Sequence, residues 1–171
     1  IEHRDGDLNL VRDLSPLHEY NRMPAIASNG NTVLVAAMEL QASGTILKLY
    51  RYRRDAGAKF VGIGLGTKIA DLNISGSDPL NWPVDLDWDG NDFILSYGQK
   101  TNVVVDGKIV SYAQAMVRKI SVDNAHNLTL DDAYPLAKES MMATLAPTPQ
   151  GGLAMWLDSA RRPVIRQVKY R

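Results

Sequence analysis

The sequence predicts an all-β domain built from a repeated antiparallel meander, and three observations carry that prediction. Apolar and polar residues alternate at a period of two along 24-PAIASNGNTVLVAA-37 and 83-PVDLDWDGNDFILSY-97, the pattern of a half-buried strand. Asn29-Gly30 and Asp89-Gly90 interrupt these runs, and such pairs signal a hairpin because both residues accept positive φ. No segment carries a long apolar stripe at the 3.6-residue helical period.

The elements recur at a fixed interval. Pro24 and Pro83 open the first two copies and stand 59 residues apart. A third copy, 142-MATLAPTPQGGLAMWL-157, follows 59 residues later with Gln-Gly-Gly at its turn. The next strand keeps the same interval: 46-ILKLYRYR-53 aligns without a gap on 164-VIRQVKYR-171 at an offset of 118, twice 59. Its middle copy is 115-AMVRKIS-121, displaced by an extra hairpin around 103-VVVDGKIV-110. The fourth strand of the unit is a run such as 59-KFVGIGL-65. Residues 129-TLDDAYPLAKES-140 have room for a helical turn, which Pro135 interrupts.

Four antiparallel strands at a pitch of 40–60 residues is the signature of a β-propeller blade. The expected fold is therefore all-β, with about three four-stranded antiparallel blades in one domain spanning residues 1–171. The blades fall at about 24–82, 83–141 and 142–171, the last completed by residues 1–23. Reading Ile1 on from Arg171 puts 7-DLNLV-11 at a fourth-strand position, beside the C-terminal strand. Three blades fall short of the four to eight that close a ring. The expectation is half of a larger ring, completed by a homodimer partner or a second chain. The start at Ile1 and the end in a strand-like run fit a processed chain, a fragment or one part of something larger.

The repeated order of proline, alternating residues, Asn-Gly or Asp-Gly and apolar strand covers residues 22–171. It resembles a family of large bacterial extracellular β-propeller repeats. In that family the second strand often ends in Trp and Asp; 156-WLD-158 keeps this, while Ala36-Ala37 and Ser96-Tyr97 replace it. The resemblance implies a bacterial extracellular or cell-surface location. It also implies a non-catalytic binding or scaffold module that recognises carbohydrate or protein.

Composition narrows the classes. Lys and Arg together number 19, as do Asp and Glu, so formal net charge is zero. A dedicated nucleic-acid binder needs a basic surface to displace counterions, and that class is not expected. Cysteine is absent, which excludes disulfides, thiolate metal sites and cysteine nucleophiles. No apolar run approaches the length of a spanning helix.

The stretch 85-DLDWDG-90 is the main candidate for chemistry. Asp85, Asp87 and Asp89 stand at positions 1, 3 and 5 of a calcium loop, with Gly90 at position 6. The bidentate Glu expected at position 12 is Ser96, and position 9 is Phe93. The competing reading is a strand and hairpin turn. Val84, Leu86 and Trp88 then point to one face, and Asp85 and Asp87 to the other. On a propeller the first strand of each blade lines the channel, with Ile26 and Ser28, Asp85 and Asp87, and Thr144 and Ala146 in matching places. Asp85, Asp87 and Trp88 are then the candidate ligand-binding residues, and Asp85, Asp87 and Asp89 the candidate calcium ligands. An alternative function is part of a propeller-fold enzyme such as a glycoside hydrolase, whose paired carboxylates lie partly outside this chain.

Other motifs read as structural. Gly62, Gly64 and Gly66 lack the spacing of a phosphate loop. His3, His18 and His126 are scattered and read as solvated loop residues. Trp82, Trp88 and Trp156 suit packing between blades better than a sugar platform. The basic strands at Arg51-Arg53-Arg54 and Lys169-Arg171 read as solvated faces.

Overall fold

Hairpins between neighbours in sequence generate the whole architecture. A computed structural model describes residues 2–4, 10–13, 21–57, 59–64, 66–72, 83–137, 140–148 and 150–169. The N-terminal strands β1 (Glu2–Arg4) and β2 (Leu10–Asp13) form a two-stranded antiparallel hairpin. Sheet 1 contains β3 (Asn21–Ser28), β4 (Thr32–Gln41) and β5 (Gly44–Arg54), followed by β6 (Phe60–Gly62) and β7 (Thr67–Asp71). Sheet 2 contains β8 (Val84–Trp88), β9 (Phe93–Val105) and β10 (Lys108–Val122), then β11 (Leu128–Leu130) and β12 (Tyr134–Ala137). Sheet 3 contains β13 (Met141–Thr148), β14 (Gly151–Leu157) and β15 (Pro163–Val168). The fold is thus all-β with three antiparallel sheets. No helix of the described residues is long and apolar enough to cross a membrane.

The turns explain the register. The Asn29 side-chain oxygen accepts the backbone N–H groups of Asn31 and Thr32, and the Asp89 carboxylate does the same for Asn91 and Asp92. Each side chain substitutes for a missing strand partner, and Gly30 and Gly90 carry the positive φ, 91° and 105°. The innermost equivalent pairs are Ser28–Val33, Trp88–Phe93 and Pro147–Gly152. The true interval is therefore 60 residues from sheet 1 to sheet 2 and 59 from sheet 2 to sheet 3. At the third tip, Gly151 has φ 126°, and a Cβ there would strike the Val168 carbonyl, which accounts for the first glycine of the Gln-Gly-Gly sequence.

The sheets stack face to face in chain order. Phe93, Leu95 and Tyr97 of β9 point to sheet 1 and join Leu34, Ala36, Met38, Leu47 and Leu49 in the main core. The intervening Ile94 points the other way, with Ala115 and Val117, to meet Ala143, Leu145, Ala154 and Trp156 of sheet 3. Strand alternation thus makes sheet 2 a two-sided filling between its neighbours. Each fully buried large side chain contributes about 1.5–3 kcal/mol. The first strands lie side by side, β8 against β3 and β4, and β13 against β8 and β9.

Several expectations need correction. The fourth strand is not one run: β6 and β7 both pair with β5, broken between them where Gly64 takes φ 65°. Sheet 2 repeats the division, since β11 and β12 both pair with β10. Residues 128–130 and 134–137 are strands rather than a helical turn, and Pro135 is tolerated because β12 sits at the sheet's margin. The extra hairpin at 103–110 is the tip of one long β9–β10 ribbon that outreaches β8, and Asp106-Gly107 makes its turn with φ 51° and 73°. Leu10–Asp13 pairs with Glu2–Arg4, not with β15; residues 7–9 lie outside the described residues.

Candidate functional site

The first strand of sheet 2 alternates as its sequence requires. Val84, Leu86 and Trp88 face the core shared with sheet 1, and the Trp88 ring sits 4.8 Å from that of Phe93, tilted by 59°. Asp85 faces sheet 3. One oxygen of its carboxylate accepts a 2.7 Å hydrogen bond from Thr144 Oγ1 and a 3.0 Å bond from the Leu145 N–H. Asp87 is exposed and accepts the N–H of Trp88. Asp89 is buried and holds its own turn.

The three carboxylates therefore diverge. Asp85 turns to a neighbouring sheet, Asp87 to solvent and Asp89 into the hairpin. Among the described residues no three histidine or acidic side chains gather as a cation site. Trp88 is packed between sheets, as is Trp156, while Trp82 lies outside the described residues. The matching places on the first strands also shift. With a 60-residue first interval, Ala25 and Ala27 correspond to Asp85 and Asp87, and Ile26 to Leu86; an offset of one residue exchanges the two faces of a strand.

A polar cleft lies where the turns of sheets 1 and 2 meet, with a volume of about 200 Å³. Asn29, Asn31, Thr32 and Arg54 line it from sheet 1, and Asp123, Asn124 and His126 from sheet 2. Its walls are fixed by hydrogen bonds between sheets. Thr32 Oγ1 and His126 Nδ1 share a 2.7 Å bond, and Arg51 donates to the His126 carbonyl at 2.6 Å. His126 is thus a bridge between sheets, not a solvated loop residue. Away from the cleft, Arg118 adds a further bond between the two sheets, 3.2 Å to the Ile69 carbonyl.

One turn form recurs around the stack. The carboxylates of Asp55, Asp123 and Asp158 each accept the backbone N–H groups two and four residues ahead. His126 takes φ 63° and Arg161 φ 59° at the same place in two of these turns, so the turn itself demands that conformation. The side-chain amide of Asn127, then its backbone N–H, holds the Asp123 carboxyl below its ordinary value. Asp158 is lowered in the same way, first by the backbone N–H of Arg162. On sheet 2, hydrogen bonding to Asp131 raises Lys119, reinforced by that carboxylate's charge.

Sequence reasoning missed the cleft because its two walls are 94 residues apart and neither carries a catalytic motif. The available signal was the polar turn chemistry: Asn29-Gly30-Asn31 and Asp123-Asn124 both close hairpins at the same end of adjacent sheets. No family model matches the chain, and no curated protein matches it.

Proposed function

We propose that this chain is a non-catalytic binding and scaffold module, built as a propeller-type arc, that recognises a hydroxyl-rich carbohydrate at the turn-end cleft. The observation that carries the reading is the ordered stack, with each first strand beside the next and Asp85 engaged by sheet 3. A carboxylate occupied by a hydroxyl and a backbone N–H serves as a fastening between sheets rather than as one of two opposed acid/base groups.

The cleft supports the ligand class. The Asn31 and Asn124 side-chain amides and the Arg54 guanidinium line it beside turns held by Asn29, Asp123 and His126, and Val122 is its apolar contribution. Hydroxyl groups satisfy both the donors and the acceptors of the amides, whereas a single-sign ligand does not. The walls are held by hydrogen bonds before a ligand arrives, which reduces the ordering cost of binding. An extracellular or surface setting accords with the cysteine-free composition and the resemblance to surface repeat proteins.

An array of immobilised neutral oligosaccharides, followed by titration calorimetry on the best sugar, tests this. Asn31→Ala and Asn124→Ala remove cleft amides from exposed positions, and each is expected to weaken binding at least about tenfold. Binding that survives both substitutions, or no binding to any sugar, rejects the carbohydrate reading.

A further inference from the structure

The three sheets contain an internal control for what each face is built to touch. Leu34, Ile94 and Leu153 occupy the same place on the second strands of sheets 1, 2 and 3. Leu34 and Ile94 are buried against the following sheet, but Leu153 is 56% exposed. Ala36, Ser96 and Met155 form the next matching set, with the first two buried and Met155 44% exposed. On the third strands Leu49 and Val117 are buried, and their counterpart Ile165 is 65% exposed. The face that sheets 1 and 2 use to receive the next sheet is bare on sheet 3. Ala146, Pro163 and Gln167 share that face by strand alternation, and Thr144 stands at its edge with its hydroxyl on Asp85, so the strand positions of the face carry no charged side chain.

The opposite end supplies the complement. Leu86 and Leu145 project from first strands towards the preceding sheet and are buried there, Leu86 in the core that contains Leu34 and Leu145 in the core that contains Ile94. Their counterpart on sheet 1 is Ile26, which is 60% exposed. The remainder of that sheet face is already packed, with Val35 and Tyr52 buried among Val33, Tyr50 and Phe60. Docking there falls to the first strand, the element of sheet 2 whose backbone comes nearest sheet 1 within the chain, where the second-strand Phe93, Leu95 and Tyr97 also fill the core.

From these matched positions we propose that the bare face of sheet 3 is an interface with a second copy of this chain, whose β3 lies across β13 and β14 and seats Ile26 against Leu153 and Met155. The inference rests on the propeller-type reading and names its partner. Contacts of this head-to-tail kind either close into a ring or run on as a filament. Two copies present two such interfaces and close six sheets, within the four to eight that propellers use. A second copy fits because it brings a first strand, the element that comes nearest these positions within the chain, and strand positions without charged side chains have no use for an ionic partner.

Light scattering and native mass spectrometry over a range of concentrations test the proposal on the intact chain. Wild type is expected as a dimer. Leu153→Lys and Ile26→Glu each place a charge at one half of the contact and are expected to weaken dimerisation at least about tenfold. Both positions are exposed in the single chain, and an unchanged melting temperature for the dissociated protein identifies loss of contact rather than loss of fold. Combining the two in one chain brings opposite charges together and restores association. Val104→Lys, on the exposed ribbon tip, serves as a control that leaves mass unchanged. A monomeric wild type overturns the proposal, as does an Ile26 variant that still dimerises or a double variant that stays monomeric. Sugar binding is read separately, so either outcome here leaves the cleft experiment intact.

Discussion

Asp85 and Thr144 stand 59 residues apart in the chain, one repeat interval, and meet across two sheets in a 2.7 Å hydrogen bond. The same carboxylate oxygen takes the Leu145 N–H, so a first-strand side chain of one sheet fixes the first-strand backbone of the next. Asp85→Ala is expected to destabilise the protein by about 1–3 kcal/mol, the range for a hydrogen-bonded charged group at a partly covered site. Thr144→Val alone is expected to cost less, because the Leu145 N–H remains bound. Urea unfolding of both single variants and the double variant should return a positive coupling energy. Strict additivity would show that the bond carries no stability.

Asp89 supplies a second test, since Asn29 performs its task in sheet 1. Asp89→Asn is expected to change stability by less than about 0.5 kcal/mol, whereas Asp89→Ala loses the cap on two backbone N–H groups and costs about 1–2 kcal/mol. Equal effects of the two substitutions, measured by chemical unfolding, would contradict a capping role.

Calcium addresses the other reading of the same stretch. With Asp85 turned to sheet 3 and Asp89 folded into its hairpin, millimolar calcium and excess chelator are expected to give the same melting temperature within about 1 °C. A ligand that binds the native state at such concentrations would raise it by mass action, so a clear increase would reinstate the cation site.

Acid and alkali should act through different groups. Asp123 and Asp158 have carboxyls lowered from 3.8, chiefly by hydrogen bonds from Asn127 and Arg162. A lowered carboxyl contributes stability above its unfolded value and loses it as pH falls through the folded value. Lys119 is raised from 10.5 by its hydrogen bond to Asp131, and Tyr97 is raised from 10.0 by burial. Raised groups contribute fully below their unfolded values and lose that contribution as pH rises through the folded ones. The urea midpoint is therefore expected to hold steady through neutrality, falling below about pH 4 and above about pH 10. Asn127→Ala should flatten the acid limb, and an unchanged limb would exclude Asp123 as a source.

The meanders were legible in the sequence because a hairpin is a local object. Asn29-Gly30, Asp89-Gly90 and Asp106-Gly107 each carry their own turn chemistry, and alternation around Leu86 assigns its face without reference to distant residues. The divided fourth strands were hidden, since β6 and β7 form separate pairings on β5 that their short runs do not announce. The one-residue error in the first interval came from aligning prolines rather than turn caps: Pro24 lies within the irregular register between Arg22 and Ala25. The cleft was beyond reach because Thr32 and His126 acquire meaning only when two turns are brought together.

Sheets assembled from consecutive strands have a kinetic consequence. Every strand in the stack finds its partner nearby in the chain, so little loop entropy must be surrendered before contacts begin to reward it. Folding can start in any one sheet and spread to its neighbours, much as a zipper advances from whichever tooth engages first. Sheet 3, with three strands where its neighbours have five, is then the part of the single chain expected to open earliest under denaturant and to exchange its amide protons fastest.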